Sequence, residues 1–343
     1  MDITTGLDTG DLDVVLADGR PPIGTVRGVV TGPAVADWLT EHRPVIRAVL
    51  DLHGSLLIRG LPLNTLDDFA AARGAVIDEE FAYREKATPR SAYGQGLFSS
   101  TDMPPAHDIR LHNENSYTLS FAGILLFGCL AAPATGGATP VADSREVLAA
   151  LPPELAEKFA TLGYMLYRNY HPHLGLPWTT ALGVESREDA ERFCRENVIA
   201  WRWLADDRLL TGQRRPAVIT HPRTGDRLWF NHIAFWNEFT LDPDMREVLV
   251  SSYGPDGLPF NTAYGDGTPI GRDEADALND AYRTALRREA WRPGDLMIVD
   301  NLLSSHGRDA YLGDRRIVVA MGEPVRVADC RPGSPVEPGP LPV

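Results

Sequence analysis

The sequence predicts a mostly β protein with added helices, an α+β chain built on a double-stranded β-helix, or jelly roll. Short apolar segments bounded by glycine, proline or turn residues recur along the chain, and helical segments are inserted between them. No Gly-, Ser- or Pro-rich linker interrupts residues 1–330. We therefore expect one domain over residues 1–330 with helices outside the β core, followed by a proline-rich extended tail over residues 331–343.

Each predicted element has a local signal. Apolar residues at helical spacing, among them Leu39, Ile46 and Leu50, predict the first helix. Capping residues, early prolines and terminal glycines set the ends of the later helices. Helices are predicted over residues 37–52, 66–77, 143–150, 152–163, 186–197 and 273–290. Strands are predicted over residues 54–60, 121–130, 164–170, 218–220, 227–231, 296–299 and 316–321.

The composition argues against several kinds of partner. The formal net charge is -14 over 343 residues, which disfavours nucleic acid and an anionic membrane surface. The longest apolar run, residues 121–134, is too short to cross a bilayer, and the acidic N-terminus lacks signal-peptide features. Three scattered cysteines suit neither a disulfide framework nor a zinc site, and Cys129 is predicted to be buried. These features predict a cytoplasmic protein.

The stretch Leu111-His112-Asn113-Glu114-Asn115-Ser116-Tyr117 carries the strongest chemical signal. Residues two apart in a β-strand point to the same face, so His112 and Glu114 can meet at one point. A second histidine, His306, follows the buried strand at 296–299 and can fold back to the same place. Two histidines and one carboxylate with open positions are typical of non-haem Fe(II) oxygenases. Composition alone yields roughly one chance His-x-acid pair in such a chain, so this pair needs support from elsewhere.

Residues 80–110 show little periodicity and lead directly into this motif. Long loops inside compact domains are usually functional. We therefore expect residues 80–110 to form a lid loop beside a metal site.

Further segments follow one another in the order of a known family. They are Ser100-Thr101-Asp102, Ile109 to Tyr117, Pro133-Ala134 with Gly136 to Pro140, Ala142 to Arg145, Tyr167 to Tyr170, His221 to Gly225, Trp229 to Asn231 and Asp300 to Arg316. With these segments the chain resembles the taurine dioxygenase (TauD/TfdA) family of Fe(II)- and 2-oxoglutarate-dependent oxygenases. Within the family it is similar to the branch that includes the syringomycin-type aspartyl β-hydroxylase. The resemblance covers residues 56–321, and the ordered set makes chance a poor explanation for the His-x-Glu pair.

The resemblance implies roles for individual residues. His112, Glu114 and His306 fall on the iron ligands. Thr139 falls on a threonine that contacts 2-oxoglutarate. Arg316 falls on the arginine that pairs with the distal carboxylate of 2-oxoglutarate, and Arg315 is the alternative because the spacing varies slightly among members. The implied cofactors are Fe(II), 2-oxoglutarate and O2.

Two further positions bear on the reaction. Taurine dioxygenase has another arginine, for the sulfonate, where this chain has Ala320, so taurine and similar sulfonates are not expected as substrates. Related halogenases lack the carboxylate ligand, so Glu114 disfavours halogenation.

Several residues are candidates for contact with the substrate. They are Arg308, Asn113, Asn115, His232 and Trp236. Arg308 either holds a substrate carboxylate or pairs with an internal acid such as Asp300. The two asparagines either touch substrate or orient the metal ligands, and the two aromatic residues follow a strand that can line the pocket. His221 lies in a turn and is expected to make structural hydrogen bonds.

We interpret the sequence as an enzyme that hydroxylates a C–H bond of an amino acid or amino-acid-derived small molecule in secondary-metabolite (antibiotic) biosynthesis, releasing succinate and CO2. Desaturation, epoxidation or ring closure at the same site stays open. So does a substrate tethered to a carrier protein, although an acidic carrier and an acidic chain repel each other. A jelly-roll protein that binds metal without turnover is the alternative from another class, but it has no need of a co-substrate arginine. The substrate and the oligomeric state stay open, a homo-oligomer included.

Overall fold

A computed structural model describes residues 10–82, 85, 90–100, 102–171 and 174–342. Its α-helices are α1 (Val35–His53), α2 (Leu66–Val76), α3 (Ser144–Ala150), α4 (Pro153–Leu162), α5 (Trp178–Leu182), α6 (Arg187–Glu196), α7 (Ile233–Trp236), α8 (Pro243–Tyr253) and α9 (Arg272–Ala285). Short 3₁₀ helices cover Gly32–Ala34, Glu238–Thr240, Pro255–Gly257 and Val327–Cys330.

The strands range from two to twelve residues in length. They are β1 (Leu12–Val15), β2 (Ile23–Val26), β3 (Ser55–Arg59), β4 (Ala92–Gly94), β5 (Leu97–Ser99), β6 (Ile109–His112), β7 (Ser120–Ala131), β8 (Thr135–Gly136), β9 (Val141–Asp143), β10 (Tyr164–Tyr170), β11 (Ala200–Trp203), β12 (Leu209–Arg215), β13 (Val218–Thr220), β14 (Arg227–Trp229), β15 (Phe260–Tyr264), β16 (Leu286–Arg287), β17 (Leu296–Asp300), β18 (Ser304–Arg308), β19 (Tyr311–Leu312), β20 (Arg316–Arg326) and β21 (Glu337–Pro338).

A main sheet of eight strands runs in the order β1-β2-β3-β17-β7-β20-β5-β4. Its neighbours pair antiparallel except β2 and β3, which are parallel. The long strands β7 and β20 pair along nearly their whole length. Because β7 is central and buried on both faces, its sequence is a continuous apolar run and not an alternating one.

Alternate residues of the main sheet face two different cores. Leu126 and Ile298 pack with helices α1 and α2. Phe127 and Met297, one position along each strand, face the opposite core together with Val141 of β9. That second core lies against the four-stranded sheet β16-β9-β18-β6. Antiparallel sheets packed around a shared core, with helices outside, confirm the predicted α+β jelly roll.

A smaller sheet, β11-β12-β10-β15, packs against helices α4 and α9. Phe159 of α4 stacks on Tyr264 of β15 with ring centroids 4.5 Å apart. Leu278 of α9 belongs to the same core and is fully buried. The same core includes Ala142 of β9 and is packed against by Leu111 of β6, so it adjoins the four-stranded sheet.

Most predicted helices and strands form within a few residues of the expected bounds, but tertiary pairing changes two regions. The helix predicted over 273–290 ends at Ala285, because residues 286 and 287 pair with β9. Within the predicted lid, residues 92–99 form the short hairpin β4–β5 at the edge of the main sheet. Strands of three residues give no alternation that a sequence could reveal. Residues 83, 84, 86–89 and 101 of the predicted lid lie outside the described residues.

The C-terminal segment is extended and packs on the body of the protein. Glu337–Pro338 pairs with β12, and Ser334 is buried.

Cys129 is buried between the sheets as predicted, and burial raises the pKa of its thiol to about 12. Among the helices that the structure describes, none is long and apolar enough to cross a membrane.

We expect the Phe69→Ala variant to lose about 3–5 kcal/mol of unfolding free energy. Phe69 of α2 is fully buried over Gly128 of β7, where a Cβ atom would lie only 2.5 Å from its ring. Urea denaturation measures the change. The control is Val29→Ala, since Val29 is 94% exposed and its loss should change stability by less than about 0.5 kcal/mol. Equal effects of the two substitutions would contradict this account of the helix–sheet contact.

Candidate active site

Two strands place the predicted histidines opposite each other. Strand β6 pairs antiparallel with β18, and His112 is the direct cross-strand partner of His306. Directly opposed residues of an antiparallel pair point to the same face. The two imidazole centroids are 4.5 Å apart, and both side chains are buried. The register of one strand pair therefore brings together residues that are far apart in sequence.

Glu114 lies near the two histidines, but not for the predicted reason. Strand β6 ends at His112, and Glu114 lies in the turn that follows, so strand alternation was the wrong reason for the pairing. The Glu114 Oε2 atom lies 3.8 Å from Nε2 of His112 and 3.6 Å from Nε2 of His306. One ligand atom from each of the three residues lies within 4.8 Å of the other two. A single cation can contact all three side chains.

Asn301 fixes the turn that carries Glu114. Its Oδ1 accepts a hydrogen bond of 2.7 Å from the backbone N–H of Glu114, and its Nδ2 donates to the backbone carbonyl of Glu114 at 3.0 Å. The same Nδ2 also donates to the carbonyl of Ala122 on β7 at 2.7 Å. Asn113 donates from its side chain to the Asn301 carbonyl at 2.7 Å. Both asparagine side chains are fully buried, so these bonds form away from water.

Asp300 organises the turn that leads to His306. Its Oδ1 accepts from the backbone N–H groups of Leu302 and Leu303 at 3.1 and 3.2 Å. Its Oδ2 lies 3.3 Å from Nε2 of His221 and 3.1 Å from the guanidinium of Arg223. Burial alone would raise the pKa of Asp300, but the hydrogen bond with His221 and the nearby charges lower it. His221 thus has the structural role that its turn position predicted.

The surroundings of the three ligands suit a metal. His112 Nδ1 is 2.8 Å from the carbonyl of Arg110 and donates to it, which leaves Nε2 facing Glu114. Burial and the neighbouring His112 lower the pKa of His306 to about 4, so His306 is neutral at neutral pH. Burial would raise the pKa of Glu114, but Arg90 and both histidines outweigh it and hold the pKa well below its usual range. Two imidazoles and one carboxylate form the donor set that Fe(II) oxygenases use.

Arg90 is a close neighbour of the triad that the sequence did not predict. Its Nη2 donates to Oε2 of Glu114 at 2.7 Å, and both side chains are 7% exposed. A carboxylate has two oxygens and about four lone-pair sites, so this bond and a metal contact are compatible. Arg90 lies in the aperiodic segment before the motif, where no sequence pattern marks it.

Beside the triad lies a small cavity whose lining includes His112, His306, Thr139 and Arg315. The Arg315 guanidinium donates to Thr139 Oγ1 at 3.3 Å and to Ser100 Oγ at 3.1 Å. Arg316, the first choice from the sequence, is instead exposed and lies over the ring of Tyr93 on the surface. The structure therefore brings the alternative, Arg315, to the site and leaves Arg316 outside it.

The five candidate substrate residues have different surroundings. Arg308 lines the small cavity, but its guanidinium donates to the carbonyls of residues 103, 104 and 107 at 2.8–3.1 Å and does not pair with Asp300. Asn113 supports Asn301, as described above. Asn115 is buried in a left-handed conformation directly after Glu114.

His232 and Trp236 form an aromatic wall behind the triad. The His232 ring lies 5.3 Å from that of His112, and its Nδ1 is 2.6 Å from Ser116 Oγ. Burial and the neighbouring His112 lower the pKa of His232 well below its usual value, so it is neutral. Trp236 stacks between His232 and Phe260 at 4.3 and 4.7 Å. Neither residue is among those lining the small cavity.

The jelly roll, the His-x-Glu turn and the distal histidine together define a non-haem Fe(II)- and 2-oxoglutarate-dependent oxygenase. The family model described as "Taurine catabolism dioxygenase TauD, TfdA family" matches residues 16–321, and the chain belongs to this family. The predicted enzyme class and cofactors are thereby confirmed. The comparisons establish the family, and the finer resemblance to the branch of the syringomycin-type aspartyl β-hydroxylase stays a prediction.

Two relatives and one solved structure illustrate the similarity. The dapdiamide synthesis protein DdaC of Enterobacter agglomerans is 32% identical over 310 residues, which cover 90% of this chain and 94% of that protein. A clavaminate synthase-like protein of Arabidopsis thaliana is 24% identical over 307 residues, 84% of this chain and 87% of that protein. The PvcB protein of Pseudomonas aeruginosa superimposes with a TM-score of 0.55 at 15% identity, covering 93% of this chain and 95% of that chain. At that identity the structural likeness supports the fold alone.

We expect Asn301→Ala to weaken metal binding by about 10–100-fold, the usual effect of removing a residue that orients a ligand. The substitution removes both hydrogen bonds to the backbone of Glu114 and leaves its amide and carbonyl groups buried. Anaerobic titration with Fe(II), or with Co(II) as a spectroscopic substitute, measures the affinity. Asn64→Ala changes an exposed asparagine and serves as the control. Unchanged affinity in a folded Asn301→Ala protein would show that the turn holds its shape without this side chain.

Proposed function

We propose that this oxygenase hydroxylates a C–H bond of an amino acid or amino-acid-derived small molecule in the biosynthesis of a secondary metabolite. The observation that carries the proposal is the position of Arg315 and Thr139 beside the His112–Glu114–His306 triad. A relative of 32% identity over nearly its whole length is named for dapdiamide synthesis, which supports a biosynthetic role. The resemblance to the syringomycin-type branch supports an amino-acid-derived substrate.

Arg315 is proposed to bind the distal carboxylate of 2-oxoglutarate. A planar guanidinium can hold a carboxylate through two parallel hydrogen bonds, which fixes its direction as well as its position. Burial and the nearby Arg308 lower the pKa of Arg315 to about 10, so the group is still charged at neutral pH. Its Nε donates to the carbonyl of Gly137 at 2.8 Å, which anchors the side chain before any ligand binds.

Thr139 is proposed to assist by donating its hydroxyl hydrogen. Its Oγ1 accepts from Trp291 Nε1 at 3.2 Å and from Arg315 at 3.3 Å. Both of these partners are donors, so neither of them uses the hydroxyl hydrogen of Thr139. Trp291 thus acts as a positioning residue for Thr139, a role that no motif in the sequence indicated.

The triad is proposed to hold Fe(II) through Nε2 of His112, a carboxylate oxygen of Glu114 and His306. When bound, the iron and 2-oxoglutarate supply the activation of O2 that converts a substrate C–H into C–OH while succinate and CO2 are released. Phe127, whose ring lies 5.2 Å from that of His306, and Val319 give the small cavity an apolar side. An apolar wall excludes water and limits side reactions.

The absence of a sulfonate-binding arginine, in which this chain differs from taurine dioxygenase, also holds when Arg315 is taken as the 2-oxoglutarate arginine. Four positions after Arg315 lies Val319, which lines the small cavity, whereas Ala320 is buried on the opposite face with helices α1 and α2. With Arg315 as the proposed 2-oxoglutarate arginine, the position of the sulfonate arginine is Val319 and not Ala320. Neither side chain can bind a sulfonate, which supports a substrate other than taurine.

We expect Arg315→Ala to weaken binding of 2-oxoglutarate by about 30-fold or more, because truncating one partner of a buried charge pair costs about 2–5 kcal/mol. The anaerobic Fe(II)–2-oxoglutarate complex has a weak visible charge-transfer band, and its titration gives the affinity. Arg316→Ala is the matched control, since it removes the adjacent arginine from the surface and should leave the affinity unchanged.

A loss confined to Arg316→Ala would reverse the assignment of the arginine. A folded, metal-loaded wild-type protein that gives no band would contradict the oxygenase proposal and favour metal binding without turnover. Once the band is present, mass analysis of products distinguishes insertion of an oxygen atom from loss of two hydrogen atoms. The first outcome indicates hydroxylation or epoxidation, and the second indicates desaturation or ring closure.

A further inference from the structure

Arg90 carries a positive charge into the metal site from the edge of the main sheet. Its side chain lines the small cavity together with His112 and His306. The Nη2 atom donates to Oε2 of Glu114 at 2.7 Å, and the two side chains are each 7% exposed. A guanidinium stays charged at physiological pH, so the contact is a buried, hydrogen-bonded ion pair beside the triad.

The hydrogen bond acts on the carboxylate oxygen that faces both histidines. Oε2 is the atom that lies 3.8 Å from Nε2 of His112 and 3.6 Å from Nε2 of His306. The bonds from Asn301 fix the backbone of Glu114, but a glutamate side chain still has three rotatable bonds. A donor on Oε2 limits that freedom, and Arg90 thereby holds the carboxylate toward the histidines.

The backbone beside Arg90 is fixed by Ser91, Ser99 and Asp102, which we call the serine–aspartate cluster. The Ser91 N–H donates to Ser99 Oγ at 2.9 Å, and the Ser91 carbonyl accepts from the Ser99 N–H at 2.8 Å. The Asp102 carboxylate accepts from both hydroxyls, at 3.1 Å from Ser91 and 3.0 Å from Ser99. Ser99 also pairs with Val318 of β20, so the cluster ties the residue after Arg90 to the main sheet.

A positive charge at this position affects the oxidation state of a metal held by the triad. Iron gains one positive charge when Fe(II) becomes Fe(III), and a nearby cation makes that change less favourable by Coulomb repulsion. Salt screens the repulsion little, because both Arg90 and Glu114 are buried. A hydrogen bond to a ligand acts in the same direction, since it reduces the electron density that the ligand gives to the metal.

We propose that Arg90 is a positioning residue that holds the Glu114 carboxylate toward the two histidines and, through its charge, favours Fe(II) over Fe(III). The inference rests on the proposed function, because it takes the triad as the iron site. Fe(II) is the oxidation state that oxygenases of this class use. The charge of Arg90 is thus assigned to a metal ligand, whereas Arg315 is the residue proposed for the co-substrate carboxylate.

The test measures the Fe(III)/Fe(II) potential of the full chain loaded with iron alone. An anaerobic redox titration follows the electron paramagnetic resonance signal of Fe(III). Arg90→Met keeps a long side chain but removes the charge and the donors. It should lower the potential by about 59 mV or more, which is a tenfold shift of a one-electron equilibrium. Arg90→Lys keeps the charge and should restore most of the loss. An unchanged potential in iron-loaded Arg90→Met would overturn the proposal.

A second readout reports the position of the carboxylate. The visible spectrum of the Co(II)-loaded protein depends on the arrangement of the ligands, so Arg90→Met should change it and Arg90→Lys should resemble wild type. Ser99→Ala removes one hydroxyl of the serine–aspartate cluster without changing any charge. It should shift the spectrum and the potential in the same direction as Arg90→Met, but less. If Arg90→Met does not fold, Ser99→Ala with wild-type values in both readouts overturns the proposal.

The matched control is Arg316→Met, the same replacement at an exposed arginine that lies over the ring of Tyr93. Its potential should equal that of wild type, because water and salt screen an exposed charge. A shift as large as that of Arg90→Met would reduce the effect to the overall charge of the protein and overturn the proposal.

The same measurements separate this inference from the proposed function. If the wild-type protein does not bind Fe(II), or if His306→Ala binds it equally well, the triad is not the iron site and the proposed function fails. If the wild-type protein binds Fe(II) through His306 and Arg90→Met leaves the potential and the spectrum unchanged, only the role of Arg90 fails.

Discussion

The metal centre depends on the buried hydrogen bonds of Asn301. The register of β6 and β18 aligns the two histidines, but it does not place Glu114, which lies beyond the end of β6. Asn301 bonds both backbone groups of Glu114 and also the β7 carbonyl of Ala122. One amide thus links the end of β17, the turn and the centre of the main sheet. Since these bonds are buried, breaking one leaves an unpaired polar group, and this gives the turn one well-defined conformation.

Charge is distributed unevenly around that turn. The small cavity at the His112 end is lined by three arginines, of which Arg308 already bonds backbone carbonyls and Arg90 bonds Glu114. Among the described residues, the hydrogen bonds of Arg315 go to one carbonyl and two hydroxyls, none of them charged, so its charge is available to an anion. The dicarboxylate co-substrate of the proposed function would therefore be directed to the His112 end of the turn by charge.

The sequence predicted the parts of this site that regular structure creates. His306 could be found because it follows a buried apolar strand, and the sheet core could be found from its apolar runs. Arg90 could not, since it lies in an aperiodic segment and acts through a tertiary contact with Glu114. The role of Asn301 was equally hidden, because an asparagine after a strand is an ordinary turn residue until its partners are known.

The choice between Arg315 and Arg316 shows what strand parity adds to a motif. Along β20, Ile317 and Val319 face the core between the sheets, whereas Val318 and Ala320 face helices α1 and α2. Arg315, one residue before β20, lines the small cavity with Val319, whereas Arg316 is exposed and lies over the ring of Tyr93. Counting residues from His306 could not resolve this, because the pairing of β20 with β7 shifts register at Arg316, and such irregularities leave no trace in spacing. The three-dimensional structure, and not the spacing from His306, thus separates the surroundings of two adjacent identical side chains.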